Sequence, residues 1–239
     1  MTDPLFRDAP YMAEADGCVV AHTPDGGVVL DRTVFYPTGG GQPGDSGRLD
    51  WAQGSLTVAT SVKADTGDIA LVPVAAQTLP PVGTTVRQVL DWTRRYRVMR
   101  MHTALHLLSV VIARPVTGGA IGEERSRLDF DMPEAPEDRD ALNSHLGRLV
   151  EQDLAVSETW ITDAELDANP GLVKTMSAQP PRGSGRVRLI RIGQDESQVD
   201  LQPCGGTHVA RTGEIGALRI GKIEKKGRQN RRVYLHFDD

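Results

Sequence analysis

The chain has 239 residues, 39% of them hydrophobic and 25% charged, and a formal net charge of −5 at neutral pH. This is the make-up of an ordinary globular protein with length for one large or two small domains; it excludes a broad basic coat for nucleic acid, and no apolar run is long enough to span a bilayer. Two cysteines, Cys18 and Cys204, build no disulfide framework, and the polar, acidic N-terminus has no signal-peptide character, so a reduced cytoplasm with no membrane partner is the expected home.

The first ninety residues read as β structure. Short apolar segments such as Cys18–Ala21 and Val28–Leu30 are separated by turn formers, including Pro24-Asp25-Gly26-Gly27, and 56–59 and 69–72 continue the pattern. Residues 83–90 read as a last strand, and many short strands with frequent turns predict a small barrel. Inside this region lies Phe35-Tyr36-Pro37-Thr38-Gly39-Gly40-Gly41-Gln42-Pro43-Gly44-Asp45. Its glycines would let backbone N–H groups approach a ligand or another chain. It lacks the Gly-Lys-Ser/Thr ending of a phosphate loop, so on composition alone a barrel turn is the plainer assignment.

From about Asp91 the period changes. Val98, Met101, Leu105, Leu108 and Ile112 recur at helical spacing, with His102, His106 and Ser109 on a neighbouring stripe. Thr117-Gly118-Gly119 is expected to end this helix. A strand over 126–131 follows, then a second helix over 136–155, then a short helix over 165–173 interrupted by Asn169-Pro170-Gly171. Residues 186–192 alternate charged and apolar side chains as a half-exposed strand does. The chain closes on a hairpin, 217–226 and 231–237, turning at Gly227. The expected fold is α+β: a small β-barrel domain over 1–90, followed by an α+β domain over 91–239.

His102 and His106 are four apart on the first helix, and Cys204 and His208 are four apart in Cys204-Gly205-Gly206-Thr207-His208. Side chains at i and i+4 share a helix face, and two glycines let the second segment curl, so the four can converge on one ion. Nitrogen and sulfur donors of this kind suit zinc, one ion per chain. The competing assignment makes each His an ordinary core or surface residue and Cys204 a small hydrophobe. Thr103 stands where a zinc peptidase would carry its glutamate base, which speaks against a peptidase. A closed four-ligand site is normally structural and an open one catalytic, and spacing alone leaves both open, with no catalytic group named beyond a zinc-associated water.

Local charge differs from the total. Between Arg219 and Arg232 lie seven basic residues (Arg219, Lys222, Lys225, Lys226, Arg228, Arg231, Arg232) against the single acid Glu224, and Arg94, Arg95, Arg97 and Arg100 lead into the histidine helix. Either cluster is a candidate for phosphate contact, or a solvated face.

Arg100-Met101-His102-Thr103-Ala104-Leu105-His106-Leu107-Leu108 together with Pro203-Cys204-Gly205-Gly206-Thr207-His208 resembles the editing domain of alanyl-tRNA synthetase. The segments 35–45 and 212–216 fit the same family, and the resemblance spans nearly the whole chain. The chain is too short for an aminoacylation domain, and no ATP requirement is expected. It resembles the free-standing editing proteins of the AlaX type, in their medium-length form with an N-terminal barrel and glycine motif.

The resemblance implies hydrolysis of tRNA(Ala) mischarged with serine, with glycine as a second candidate, by a zinc-dependent aminoacyl-tRNA deacylase acting in translation fidelity. It implies His102, His106, Cys204 and His208 as metal ligands. It also points to Thr38, Gly39, Gly40, Gln42 and Gly122 in substrate binding; Thr103 joins them as a polar neighbour able to sense the serine hydroxyl. Discrimination by such a hydroxyl works because a site built to bond it is left with unpaired polar groups by alanine. If the partner is tRNA, Lys222, Lys225, Lys226, Arg228, Arg231 and Arg232 are the expected backbone contacts. Two other functions fit the same residues: a zinc-stabilised tRNA-binding module without turnover, and editing of another mischarged tRNA by a threonyl-type relative. Oligomeric state is left open.

Overall fold

The computed structural model describes residues 1–75, 77–176 and 185–238. The chain divides into two compact units, Met1–Arg97 and Val98–Asp239. The architecture is α+β, with a closed barrel in the first unit and two sheets with helices in the second.

The first unit contains β1 (Asp3–Pro4), β2 (Glu14–His22), β3 (Val28–Leu30), β4 (Arg32–Thr33), β5 (Gly47–Trp51), β6 (Gly54–Lys63), β7 (Ile69–Pro73) and β8 (Thr85–Leu90). Six of these close in the order β2-β3-β7-β6-β5-β8, every neighbouring pair antiparallel, while β1 and β4 pair in parallel beside them. Period-two burial along β6 and β8 sends Leu56, Val58 and Val86 inward against Leu30, Phe35 and Leu49. Register shifts at Val19/Ala21 and Val58/Thr60 supply the local bends that closure requires. Strand β5 begins at Gly47, where a Cβ would lie 2.2 Å from the Val89 carbonyl oxygen, so only glycine admits the β8 backbone at that distance.

Helix α1 (Trp92–Val111) carries the paired histidines, and β9 (Val116–Ala120), β10 (Arg125–Asp131), α2 (Arg139–Glu151), β11 (Val156–Thr162), α3 (Asp163–Ala168), β12 (Arg186–Ile192), β13 (Asp200–Pro203), β14 (Leu218–Lys225) and β15 (Asn230–Phe237) follow. They form a four-stranded sheet, β14-β15-β10-β9, and a three-stranded sheet, β11-β12-β13. The expected stripe of α1 is buried: Val98, Met101, Leu105, Leu108 and Ile112 are all in the core.

Three elements depart from the expected outline. The Thr117-Gly118-Gly119 stretch belongs to edge strand β9, not a helix terminus, because it pairs with β10, where a Cβ on Gly119 would press on Leu128 at 3.0 Å. Helix α2 starts at Arg139, capped by the Asp138 side chain accepting from the Ala141 N–H. It stops near Gln152, with Asp153 in the left-handed region at φ 48°. The β-rich sequence beyond, Val156-Ser157-Glu158-Thr159-Trp160-Ile161-Thr162, pairs with β12 as β11. The helix expected over 165–173 splits into α3, held by a Thr162/Glu165 capping box, and a single 3-10 turn at Pro170–Leu172.

Candidate metal centre

His102 and His106 project from α1, and Cys204 and His208 come from the loop after β13. Their ligand atoms all lie within 4.8 Å of one another. The Cys204 sulfur is 3.4 Å from His102 Nε2 and 3.3 Å from His208 Nε2. Tetrahedral zinc with bonds of roughly 2.0–2.3 Å spaces its donors about 3.3–3.8 Å apart, so the donor set and its spacing fit the ion. The three histidines are at least 93% buried, with exposures of 7%, 7% and 5%.

His106, His208 and Cys204 are each held by partners behind them. His106 Nδ1 lies 2.9 Å from Asp200 Oδ2, and the other oxygen of Asp200 accepts from the Lys174 ammonium at 2.5 Å. Gln202 Nε2 donates to Asp200 at 2.8 Å. A carboxylate behind a histidine fixes its tautomer and aims Nε2 at the site. His208 Nδ1 faces Thr103 Oγ1 at 3.1 Å, while that hydroxyl donates to the Met99 carbonyl and accepts from the Val209 N–H. The consistent assignment is an Nδ1–H donor on His208, which again leaves Nε2 with its lone pair toward Cys204. The Gly206 N–H donates to the Cys204 sulfur at 3.4 Å. Arg188 donates to the Cys204 and Gly206 carbonyls at 3.1 and 2.9 Å, which clamps the loop to β12.

Electrostatics favour the deprotonated form a metal needs at Cys204 and His208, and the protonated form at His106. Burial raises the Cys204 thiol, but the charge of His102 and its hydrogen bond to the sulfur outweigh burial and hold the thiol well below its usual value. Burial, reinforced by the charge of His102, pushes His208 down to about 3, so its imidazole is neutral. For His106, burial is outweighed by the hydrogen bond its ring donates to Asp200 and by Cys204, which raise it to about 9. Its extra proton must leave when a metal binds, because only neutral imidazole is a ligand. Asp200 stays ionised, since its bonds to His106 and Lys174 overcome the burial that would raise it.

Thr103 is fully buried, and its proton and lone pairs are engaged by Met99, His208 and Val209, an arrangement that positions His208. Gly122 sits in the β9–β10 turn, its N–H bonded to Ser126 Oγ, with a Cβ there 2.6 Å from the Arg125 carbonyl.

The glycine motif has its own geometry within the first unit. Gly39 and Gln42 exchange both backbone hydrogen bonds at 3.0 Å, around Gly40 at φ 60° and Gly41 at φ 83°. Positive φ at both central positions is a type I′ turn, which needs glycine there. Thr38 is exposed, though its hydroxyl bonds the Ser61 carbonyl and the Gly44 N–H, and Gln42 is buried. Asp45 anchors the motif by accepting from the Tyr36 N–H and from Arg95.

The basic clusters divide on inspection. Arg95 is fully buried against Asp45, and Arg100 donates to the Ile215 carbonyl and covers the Phe237 ring, so neither serves as a phosphate contact. In the hairpin, Arg231 is buried and donates to the Gly227, Asn230 and Pro133 carbonyls, and Arg232 is paired with Asp129. These two do not gather at the turn as expected, because period two sends Arg231 to the core face and puts Arg232 opposite Asp129. Lys222 and Lys226 approach Glu224, and Lys225, Lys226 and Arg228 are exposed at the tip.

The supports Asp200, Gln202, Lys174 and Arg188 were not expected from sequence. The signal for two of them was available: Asp200, Gln202 and Cys204 alternate, so a strand places all three on one face.

Comparison with known proteins brings two family models onto the chain. The threonyl and alanyl tRNA synthetase second additional domain matches residues 187–234, which hold Cys204 and His208, and the model of class II (A) tRNA synthetases matches residues 13–94, which hold the barrel. A protein of Methanosarcina acetivorans named alanyl-tRNA editing protein AlaX-M is 35% identical over the full length of both chains. Its namesake in Saccharolobus solfataricus is 32% identical over 98% of each. The alanine–tRNA ligase of Pyrobaculum arsenaticum is 34% identical over 94% of this chain, which there matches 25% of the ligase.

Proposed function

The chain belongs to the family of alanyl-tRNA editing proteins, and from that premise we propose that it is a trans-editing deacylase that hydrolyses tRNA(Ala) mischarged with serine and, as a second substrate, glycine. The observation that carries this reading is the His102/His106/Cys204/His208 cluster, its histidines buried and its cysteine half-buried, with a positioning partner behind His106, His208 and Cys204. One zinc ion per chain is the cofactor that fits the donors, and when bound it supplies a fixed positive charge able to polarise or orient an ester carbonyl. In hydrolysis the oxygen of water adds to the ester carbon, the bond from that carbon to the ribose oxygen breaks, and the ribose hydroxyl and free amino acid leave. An aminoacyl ester is already reactive, so positioning contributes much of the acceleration. The residues here supply that rigidity: Asp200 and Lys174 fix His106, Thr103 fixes His208, and Arg188 fixes the Cys204 loop. Thr38 and Gln42, beside the type I′ turn, are the candidates for sensing the amino acid. Among the described residues no helix is long and apolar enough to cross a membrane, and a cytoplasmic place beside the translation machinery agrees with the proposed substrate.

Release of amino acid from seryl-, glycyl- and alanyl-tRNA(Ala), with seryl-tRNA(Thr) as the control for a threonyl-type specificity, is the test. Release from seryl-tRNA(Ala) and retention of alanyl-tRNA(Ala) is the expected result. A second reading has one observation in its favour: four protein donors make a closed set, the usual form of a structural zinc site. Binding of tRNA with no release from any ester would decide for that reading.

A further inference from the structure

In the three-stranded sheet, Trp160 of β11 is paired with Arg188 of β12, and the next position across is Cys204, whose N–H donates to the Arg188 carbonyl at 3.2 Å. Residues paired across a sheet point to the same face. That face also carries Gln202 and Asp200, the supports of His106. The opposite face carries Ile161, Val187, Leu189 and Leu201 and is covered by Leu166 of α3. Trp160 therefore stands on the metal-side face, in the same row as the cysteine ligand candidate. With neighbouring strands about 4.8 Å apart, its backbone lies roughly 10 Å from that of Cys204.

Among the described residues Trp160 is one of eight large apolar side chains left exposed, at 37%. Burial does not explain it, since the same strand sends Ile161, not Trp160, into the core. The Arg186 guanidinium lies over its ring, 5.7 Å from the centre. An exposed indole with an arginine beside it is the combination that stacks a nucleobase and meets the adjoining phosphate.

Resting on the proposed deacylase function, we propose that Trp160 is the stacking platform for the 3′-terminal adenine of the aminoacylated tRNA. The scissile ester and that base are carried on the same ribose, so a base on Trp160 leaves the ester one sugar's breadth away, toward Cys204. Arg188 lies between them and is already committed to the metal loop, which gives the row a fixed spacing. Arg186 is placed to meet the phosphate of the terminal nucleotide. Because every tRNA ends in the same base, this contact adds affinity and register at the site without choosing among tRNAs.

The test compares parent, Trp160→Ala and Trp160→Phe in hydrolysis of seryl-tRNA(Ala), together with quenching of tryptophan emission by uncharged tRNA(Ala) and by the same tRNA lacking its terminal adenosine. Loss of one base–aromatic stack is expected to raise KM about tenfold in Trp160→Ala, with kcat within about twofold of the parent and most of the KM restored in Trp160→Phe. Quenching should require the terminal adenosine and should vanish in Trp160→Phe. A parent-like KM in Trp160→Ala, or a loss in kcat alone, overturns the stacking role. So does quenching that is indifferent to the terminal adenosine. If the parent hydrolyses no mischarged tRNA(Ala), the proposed function fails, and the quenching comparison then decides the stacking contact by itself.

Discussion

Asp200 stands directly behind His106, its Oδ2 2.9 Å from the ring Nδ1, although the two residues are 94 positions apart in the chain. The carboxylate is in turn held by Lys174 and Gln202, so the His106 ring is fixed before any ion arrives. Replacing Asp200 with Asn removes the charge that orients the ring while keeping the shape. Zinc affinity, measured by competition with a chromophoric chelator, should fall about 10- to 100-fold. An affinity equal to the parent's would show that the carboxylate plays no part in holding the ligand.

The metal itself is tested at Cys204. Protein purified without added metal should contain one zinc per chain by elemental analysis, and Cys204→Ala should lose most of it. Deacylation should then fall far more than tRNA affinity, because affinity for tRNA comes chiefly from phosphate contacts outside the cluster. Equal losses in both would instead identify the ion as a staple whose removal disorders the second unit. Full activity in protein without zinc would remove the metal from the reaction.

What could be read before the structure, and what could not, follows from the range of each interaction. The His102/His106 pair and the barrel strands β3, β6 and β7 are local patterns, set by spacing within one element, and sequence exposes them. Strand β11 escaped because Val156–Thr162 follows an amphipathic helix without a proline to mark the break, and its partner β12 lies across a long connection. Asp200, Lys174 and Arg188 escaped for a related reason: a charged residue in a sequence looks the same whether it is solvated or aimed at a histidine. Arg95 and Arg231 illustrate the reverse error, since a run of arginines suggests an exposed patch while these two are buried against Asp45 and backbone carbonyls.

The Arg95–Asp45 pair is a stability element of the first unit. Both side chains are buried, at 0% and 3% exposure, and Arg95 also donates to the Pro10 and Val34 carbonyls. Removing one partner leaves the other charge buried and unpaired, so Asp45→Ala should cost about 3–5 kcal/mol in urea unfolding. Arg95→Met paired with Asp45→Leu should cost less than Asp45→Ala alone, since no lone charge remains. A single substitution costing under about 1 kcal/mol would mean that water reaches the pair.

The C-terminal hairpin offers the last test, and its outcome depends on how the structure sorts its charges. Arg231 and Arg232 are spent within the protein, on carbonyls and on Asp129, whereas Lys225, Lys226 and Arg228 are exposed around the turn at Gly227. Phosphate contacts carry no sequence information, so replacing these three with Ala should weaken binding to every tRNA alike. Each lost contact should reduce the slope of log affinity against log salt by about 1, giving a total change of about 2–3 if all three touch the backbone. Replacing Arg232 instead should act on stability: it removes one of the two arginines, Arg232 and Arg127, that hold the Asp129 carboxyl below its ordinary value against a burial effect that raises it. The melting temperature should drop while the salt slope stays at the parent's value. A triple variant with the parent's affinity and salt slope would assign the exposed tip to solvation alone and move the search for tRNA contacts to other surfaces.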